Sequence, residues 1–119
     1  ILAPFVTSLF SVERVRPLQE KARQRLRQLS ILNVQLTLAG ATFGWPAKGP
    51  YNAILSAAAP SSIPQGLKQQ LAPDGVLIIP VGDAKQALVK VVRIGASDKC
   101  EETNIEPVKF VPLLSGVVR

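Results

Sequence analysis

Glu13 is the residue best placed for ligand chemistry in this chain. It follows Thr7–Val12, a run that alternates and then turns apolar, which predicts a strand ending at Glu13. A carboxylate at the end of such a strand, just before a helix, can accept hydrogen bonds from the vicinal hydroxyls of a ribose. A solvated side chain paired with a neighbouring arginine is the alternative, and the residues alone leave both open.

The second candidate site is the loop of small residues after the apolar run Tyr51–Leu55. That run predicts a strand buried on both faces, and Ser56 to Pro60 mark where the chain leaves the sheet. In α/β sheets ligands bind beyond the carboxyl ends of the strands, where small side chains let them approach the backbone. A plain strand-to-helix turn would have the same composition.

The remaining pattern predicts the elements that position these two sites. Apolar residues spaced by three and four predict a helix over Leu18–Leu29, with Leu18, Ala22, Leu26 and Leu29 on its buried face. The order of elements predicts an α/β fold with a mostly parallel sheet and a carboxyl-terminal antiparallel hairpin. The other predicted elements are a strand Val34–Leu38, a loop Thr42–Pro50, a helix Ile63–Leu71, a turn Pro73–Gly75, a strand Val76–Val81 and two hairpin strands, Gln86–Ile94 and Ile105–Val111.

Composition excludes several kinds of site. The 119 residues contain no histidine, which rules out imidazole catalysis and histidine metal ligation, so we expect no metal. Cys100 is the only cysteine, so an intramolecular disulfide is impossible and a reducing cytoplasm is the natural compartment. Its acidic neighbours Glu101 and Glu102 disfavour a thiolate nucleophile. No apolar run approaches the roughly 20 residues of a membrane helix.

The net charge of +6 is concentrated in one predicted helix. Six of the 14 basic residues fall within Arg14–Arg27. Such a run can bind nucleic acid, but no aromatic residues interleave with it to stack bases, so a solvated helix face is favoured. We expect neither a nucleic-acid nor a membrane partner. An RNA-associated protein that uses this basic helix is the alternative, and steep salt dependence of RNA binding would support it.

Several segments resemble, in the same order, the protein-L-isoaspartate O-methyltransferase family. The resemblance covers nearly the whole chain, and the ordered series is more specific than any single motif. It implies a partial Rossmann-like, S-adenosylmethionine-dependent methyltransferase sheet. The matching segments are SVER, FGWP, YNAIL, AAAP, the proline of SSIP, LAPDG, LIIPVG and KFVPLL.

The resemblance implies a repair reaction on damaged proteins. Enzymes of this family transfer a methyl group from S-adenosylmethionine to the carboxylate of L-isoaspartyl residues, and the ester then collapses without an enzyme to a succinimide. The carboxylate is already an anion at neutral pH, so no general base is required. A non-catalytic α/β interaction module derived from such an enzyme is the alternative.

The resemblance also implies cofactor positions at Glu13, Gly40 and Ala41. The SVER match assigns Glu13 to the ribose. The family usually has Gly-Asp-Gly where this chain has Ala39, Gly40 and Ala41, and the aspartate accepts a hydrogen bond from the adenine amino group. Gly40 stands at the aspartate position, which removes an acceptor whose loss costs about 1–3 kcal/mol.

Substrate positions are carried over in the same way. In the loop after the strand they are Ala58, Ala59 and Pro60, although this loop is one residue shorter than usual. In the late segment resembling FVPLL, which shapes the family's peptide-binding cleft, they are Val111, Pro112 and Leu113. Core packing would explain Phe110 and Leu113 equally well, and Trp45 more often covers the end of a core than stacks on a ligand.

Two family motifs have no counterpart in this chain. They are the glycine-rich loop that wraps the methionine part of the cofactor and the serine-bearing substrate motif. We expect both upstream of Ile1, so that residues 1–119 form one incomplete domain without a catalytic residue of its own. Such a fragment should be inactive alone, expose an unpaired strand edge and apolar surface, and belong to a protein that is a monomer when complete.

Overall fold

The computed structural model describes residues 2–40, 43–114 and 116. The chain divides into two compact units, Ile1–Lys48 with Ser115–Arg119, and Gly49–Leu114. The described strands form two sheets, one of two strands and one of four. Parallel and antiparallel pairs both occur, and the α/β class is confirmed.

The first unit contains one strand–helix–strand motif. Strand β1 (Leu9–Glu13) leads into helix α1 (Arg16–Gln28), and strand β2 (Val34–Leu38) follows. The two strands pair in parallel, from Leu9 opposite Val34 to Glu13 opposite Leu38. Pro17 lies in the first turn of α1, where its missing N–H removes no helical hydrogen bond. The carboxyl ends of β1 and β2 therefore lie side by side.

The buried face of α1 differs from the predicted one. Gln19 is only 5% exposed, whereas Leu18 is 51% and Leu29 is 70% exposed. Ala22 and Leu26 are half-buried, as is Arg23. Residues 19, 22, 23 and 26 have the spacing of a helical stripe, so the period was predicted correctly but its phase was wrong by one residue. Leu18 and Leu29 flank this stripe and remain as exposed apolar surface.

The second unit is built on a four-stranded sheet. The order is β3 (Tyr51–Leu55), β4 (Leu71–Gly82), β5 (Gln86–Arg93) and β6 (Cys100–Val108). Strands β3 and β4 are parallel, while β4–β5 and β5–β6 are antiparallel, so the predicted carboxyl-terminal hairpin is confirmed. The core centres on β4 and β5, and its fully buried aliphatic side chains are Leu71, Leu77, Ile79 and Val91.

Two predictions around the connection from β3 to β4 were wrong. Strand β3 is an edge strand and is not buried on both faces, since Asn52 and Ala53 are exposed and Leu55 is 64% exposed. Helix α2 spans only Gln65–Gln69 instead of the predicted Ile63–Leu71. Ile63 precedes Pro64, and a residue before proline is disfavoured in helical conformation. At the other end, Leu71 already belongs to β4.

The predicted turn Pro73–Gly75 is an irregularity inside β4 rather than its boundary. The pairing register with β3 shifts between Tyr51 and Ala53, and Asp74 has a φ of 61°. A Cβ at Gly75 would lie 2.8 Å from the carbonyl oxygen of Ala72 and 2.9 Å from that of Tyr51. The glycine therefore permits a close approach of backbones, and the strand continues through the distortion.

The last hairpin also starts its second strand earlier than predicted. Strand β6 begins at Cys100 instead of Ile105 and ends at Val108 instead of Val111. Its first residues are polar and mostly exposed, which an edge strand tolerates. Arg93 fixes the short turn, since its guanidinium donates to the carbonyl oxygens of Leu71 at 2.6 Å, Ser97 at 2.9 Å and Ala96 at 3.1 Å.

Replacing Gly82 by alanine should destabilise the protein. Gly82 has a φ of 128°, and a Cβ there would collide with the carbonyl oxygen of Lys85 in the turn between β4 and β5. We expect Gly82→Ala to lower the free energy of unfolding by about 1–3 kcal/mol in urea titrations. Gly66→Ala is the matched control, because a Cβ on this α2 residue has no neighbour within 4 Å. Equal stability of both variants would contradict the assigned backbone geometry.

Candidate functional site

Glu13 has a fixed orientation at the carboxyl end of β1. Its Oε1 accepts hydrogen bonds from the backbone N–H groups of Arg14 at 3.0 Å and Val15 at 3.1 Å. The side chain is half-buried. These local bonds lie just before α1 begins at Arg16 and hold the carboxylate at the strand-to-helix junction. A carboxylate oriented in this way can accept further hydrogen bonds from a ligand on its remaining lone pairs.

The loop after β2 lies directly beside Glu13. The N–H of Ala39 donates to the main-chain oxygen of Glu13 at 2.9 Å, one residue beyond the last register pair. Gly40 follows, and its carbonyl oxygen accepts a 3.3 Å hydrogen bond from the N–H of Gly116. A Cβ at Gly40 would have no neighbour within 4 Å among the described residues, so these residues leave room for a larger side chain. The predicted cofactor positions Glu13 and Gly40 thus meet, while Ala41 lies outside the described residues.

The loop Ser56–Pro60 is anchored at both ends to β4. The N–H of Ser56 donates to the carbonyl oxygen of Ile78 at 3.0 Å, and the N–H of Gly82 donates to that of Pro60 at 2.8 Å. The Ser56 hydroxyl donates to the carbonyl oxygen of Ala58 at 2.8 Å and so closes a local turn. The loop therefore lies at the carboxyl ends of the parallel strands β3 and β4, where α/β sheets bind ligands.

The segment Phe110–Leu114 is bonded to this loop. Ala59 donates its N–H to the carbonyl oxygen of Val111 at 2.7 Å and accepts from the N–H of Leu113 at 2.9 Å. The two bonds straddle Pro112, which has no N–H to donate, and form a parallel bridge between Ala59 and Pro112. Because both main-chain groups of Ala59 form hydrogen bonds within the protein, this residue fixes the position of its neighbours.

The structure thus brings together the predicted substrate positions. Ala59 and Pro60 are buried, Ala58 and Leu113 are half-buried, and Val111 is 67% exposed. The exposed apolar side chains beside this loop can contact an extended peptide, whereas the buried ones set the shape of the backbone. Their roles in binding remain predictions.

Gln86 is a member of this cluster that the sequence patterns did not single out. Its side-chain amide is hydrogen-bonded to Phe110, a residue 24 positions later in the chain. No local motif announces such a contact. The sequence offers one indication of this contact. Gln86 begins the predicted strand Gln86–Ile94, and the late strand Ile105–Val111 was predicted to pair with it.

Trp45 packs inside the first unit. Its ring meets that of Phe10 on β1 edge-on, with centroids 5.8 Å apart and an interplanar angle of 86°. Lys48 lies over the same indole, with its Nζ 5.9 Å from the ring centroid. Trp45 therefore covers the end of the apolar layer, in agreement with the packing role favoured from the sequence.

Burial raises the pKa of the Tyr51 hydroxyl, but Tyr51 begins β3 and lies at the opposite end of that strand from Ser56–Pro60. Among residues 2–40, 43–114 and 116, no group of histidine, cysteine and carboxylate side chains has the arrangement of a metal site. No helix in the described part of the chain is long and apolar enough to cross a membrane.

Comparison with known proteins identifies relatives along the whole chain. The family model described as protein-L-isoaspartate(D-aspartate) O-methyltransferase matches residues 1–118. A protein-L-isoaspartate O-methyltransferase of Saccharophagus degradans is 58% identical over 119 residues, which is 100% of this chain and 53% of that protein. Protein-L-isoaspartate O-methyltransferase 1 of Marinobacter nauticus is 50% identical over 119 residues, 100% of this chain and 54% of that protein. The chain spans about half the length of these curated relatives.

Solved structures share the fold. A protein-L-isoaspartate O-methyltransferase of Plasmodium falciparum, crystallised with S-adenosyl-L-homocysteine, has a TM-score of 0.74 at 24% identity, covering 90% of this chain and 52% of its own. Another structure named protein-L-isoaspartate O-methyltransferase has a TM-score of 0.81 at 20% identity, and the match covers 92% of this chain and 35% of that one. The Rossmann-like class expected from the sequence is confirmed. Because the family model matches residues 1–118, the chain belongs to the protein-L-isoaspartate O-methyltransferase family.

Proposed function

We propose that this chain is part of an enzyme that methylates the carboxylate of L-isoaspartyl residues in damaged proteins and peptides, with S-adenosylmethionine as methyl donor. The observation that carries the proposal is the junction of Glu13 with Ala39 and Gly40 at the carboxyl ends of two parallel strands. Family membership indicates the chemistry, and this junction offers the nucleoside of the donor a place to bind. The reaction belongs to the complete protein, and no catalytic residue is assigned within residues 1–119.

The residues present fit the ribose of the cofactor. Glu13 is half-buried, and its Oε1 is oriented by two backbone N–H groups. A carboxylate pairs well with two vicinal hydroxyls, because each hydroxyl donates one hydrogen bond and the carboxylate only accepts. We assign Glu13 to the ribose hydroxyls on this basis.

The residues expected near the adenine fit the cofactor less completely than Glu13 fits the ribose. Gly40 has open space around its Cα but no side-chain acceptor for the amino group of adenine. The main-chain carbonyl oxygens of the loop are the remaining acceptors among the described residues. Gly40, and Ala41 beyond it, are therefore proposed as adenine-loop positions whose contacts are made by the backbone.

The substrate is assigned to the cluster in the second unit. Ala58 to Pro60 and Val111 to Leu113 are held by three backbone hydrogen bonds, two between Ala59 and the late segment and one between Pro60 and Gly82, which give the cluster a defined shape without long side chains. An isoaspartyl linkage adds a methylene to the backbone and branches at a free carboxylate. A cleft shaped by small and exposed apolar residues can accommodate such a kinked main chain while making few demands on sequence.

Methyl transfer to a carboxylate requires mainly that the donor and the substrate are held in the correct relative position. S-adenosylmethionine, when bound, supplies a methyl group activated by its sulfonium charge. The substrate carboxylate is ionised at neutral pH, so this chain needs no histidine or other base to withdraw a proton. Its residues hold the nucleoside and the peptide, and orientation of this kind can account for a large part of a rate enhancement.

The second candidate is a non-catalytic interaction module derived from such an enzyme. Gly40 favours it, because the family's adenine acceptor is absent at this position. Affinity of the complete protein for S-adenosylhomocysteine separates the two proposals. We propose a cytoplasmic setting for the enzyme, because Cys100 is the single cysteine of this chain and cannot form a disulfide within it.

Loss of the Glu13 carboxylate should weaken cofactor binding. We expect Glu13→Ala, in the complete protein, to raise the Kd for S-adenosylhomocysteine by about tenfold or more in calorimetry, since two hydrogen bonds to a charged acceptor are lost. Glu20→Ala is the control, because Glu20 is an exposed carboxylate on α1. Unchanged affinity in Glu13→Ala would remove Glu13 from the ribose site.

An aspartate at position 40 should tighten cofactor binding. Gly40 has room for the side chain and its φ lies outside the left-handed region, so Gly40→Asp can restore an acceptor without backbone strain. The expected gain is about 1–3 kcal/mol in the calorimetric binding free energy. Gly40→Ala controls for the loss of glycine flexibility alone. If Gly40→Asp and Gly40→Ala bind equally, this loop does not contact the adenine.

The activity itself is tested with matched peptides. The complete protein should transfer radiolabelled methyl groups from S-adenosylmethionine to a peptide containing L-isoaspartate, and not to the same peptide with ordinary aspartate. Transfer to neither peptide, with measurable binding of S-adenosylhomocysteine, would redirect the proposal to another methyl acceptor. Absence of both binding and transfer would favour the non-catalytic module.

A further inference from the structure

We propose that Gln86 is a positioning residue for the peptide substrate, which it serves by holding the segment Phe110–Leu114 in place. The inference rests on the proposed function, because it concerns the substrate side of that reaction. Gln86 begins β5 and pairs in the strand register with Gly82 on one side and Val108 on the other. Its side chain extends beyond the end of the β5–β6 ladder.

The Gln86 side chain replaces a missing backbone partner. The N–H of Phe110 donates to Gln86 Oε1 at 2.7 Å, and Gln86 Nε2 donates to the carbonyl oxygen of Phe110 at 3.1 Å. In an antiparallel ladder one residue exchanges both bonds with the residue opposite in the same way. Strand β6 ends at Val108, whose partner in the ladder is Gln86. Two residues later, the Gln86 carboxamide takes the place of a backbone partner for Phe110.

The same amide links the segment to the preceding turn. Gln86 Nε2 also donates to the carbonyl oxygen of Asp83 at 3.3 Å, within the turn that joins β4 to β5. Gly82, at the other side of this turn, donates its N–H to the carbonyl oxygen of Pro60. A single side chain therefore connects the late segment to the turn that anchors the loop Ser56–Pro60.

Gln86 and Ala59 together form a clamp on the late segment. Gln86 binds both main-chain groups of Phe110, and Ala59 binds the carbonyl oxygen of Val111 and the N–H of Leu113. Between these points the side chains of Phe110 and Val111 are 38% and 67% exposed. The clamp thus presents apolar side chains to the surroundings on a backbone held by four hydrogen bonds, which restrains the surface that a peptide would contact.

The role differs from simple stabilisation, and the strand itself offers a control. Arg93 ends β5, and its guanidinium also binds backbone carbonyl oxygens, those of Leu71, Ala96 and Ser97. It holds the turn at the opposite end of the strand from Phe110. Loss of Arg93 should therefore cost stability without changing the surface around Phe110–Leu114.

The test compares Gln86→Met with Arg93→Met in the complete protein. Methionine approximates the length of glutamine but removes both hydrogen-bonding groups. We expect Gln86→Met to raise KM for an isoaspartyl peptide by about tenfold and to leave the Kd for S-adenosylhomocysteine within about twofold. Arg93→Met should lower Tm and leave the peptide KM unchanged. An unchanged peptide KM in Gln86→Met, or equal changes in both variants, would overturn the proposal.

Amide hydrogen exchange keeps this test separate from the proposed function. In Gln86→Met the N–H groups of Phe110 and Leu113 should exchange faster, while amides on the buried strands stay protected. Unaltered exchange at Phe110 would overturn the clamp whatever the activity. If the unmodified complete protein fails to methylate the peptide, the proposed function is overturned. The role of Gln86 in substrate binding is then overturned too, even if Gln86→Met exchanges the Phe110 amide faster.

Discussion

Parallel pairing of short strands is the constraint on which the candidate site depends. Parallel strands run in the same direction, so their carboxyl ends face the same edge of the sheet. The register from Leu9–Val34 to Glu13–Leu38 places Glu13 beside Ala39 and Gly40. The pairing of β3 with β4 places Ser56 beside Ile78, and the loop then follows β4 until Pro60 meets Gly82. A shift of one residue in either pair would move these groups to the opposite face.

Backbone hydrogen bonds, rather than charged side chains, define the substrate side of the site. Ala59, Pro60 and Pro112 have no functional groups of their own, and their arrangement follows from bonds made by Ser56, Gly82 and Gln86. The substrate that we propose, an isoaspartyl residue in any damaged protein, cannot be recognised by its neighbouring side chains. A rigid backbone lined with small residues suits that task, because it responds to the shape of the main chain.

The sequence allowed the order of the elements and the bounds of two strands to be predicted, because these depend on local composition. Val34–Leu38 and Tyr51–Leu55 were placed with their observed bounds. The phase of α1 was missed, since leucines at 18 and 29 looked like core residues although Gln19 is the buried one. The early start of β6 was missed because an exposed edge strand needs no apolar alternation.

Long-range side-chain contacts were beyond the reach of such patterns. The bond between Gln86 and Phe110 spans 24 residues, and glutamine in a strand has no distinctive spacing. The roles of Glu13 and Gly40 came from resemblance, and the structure adds that the two positions are neighbours. The absence of an acceptor at Gly40 is visible in the sequence, but the open space around it is not.

The most direct test of the account is a crystal structure of the complete protein with S-adenosylhomocysteine. We predict that the carboxylate oxygens of Glu13 lie within about 2.6–3.0 Å of both ribose hydroxyls. We also predict that the adenine lies against the loop at Gly40. A nucleoside bound elsewhere, with no contact between Glu13 and the ribose, would contradict the assignment of this junction as the cofactor site.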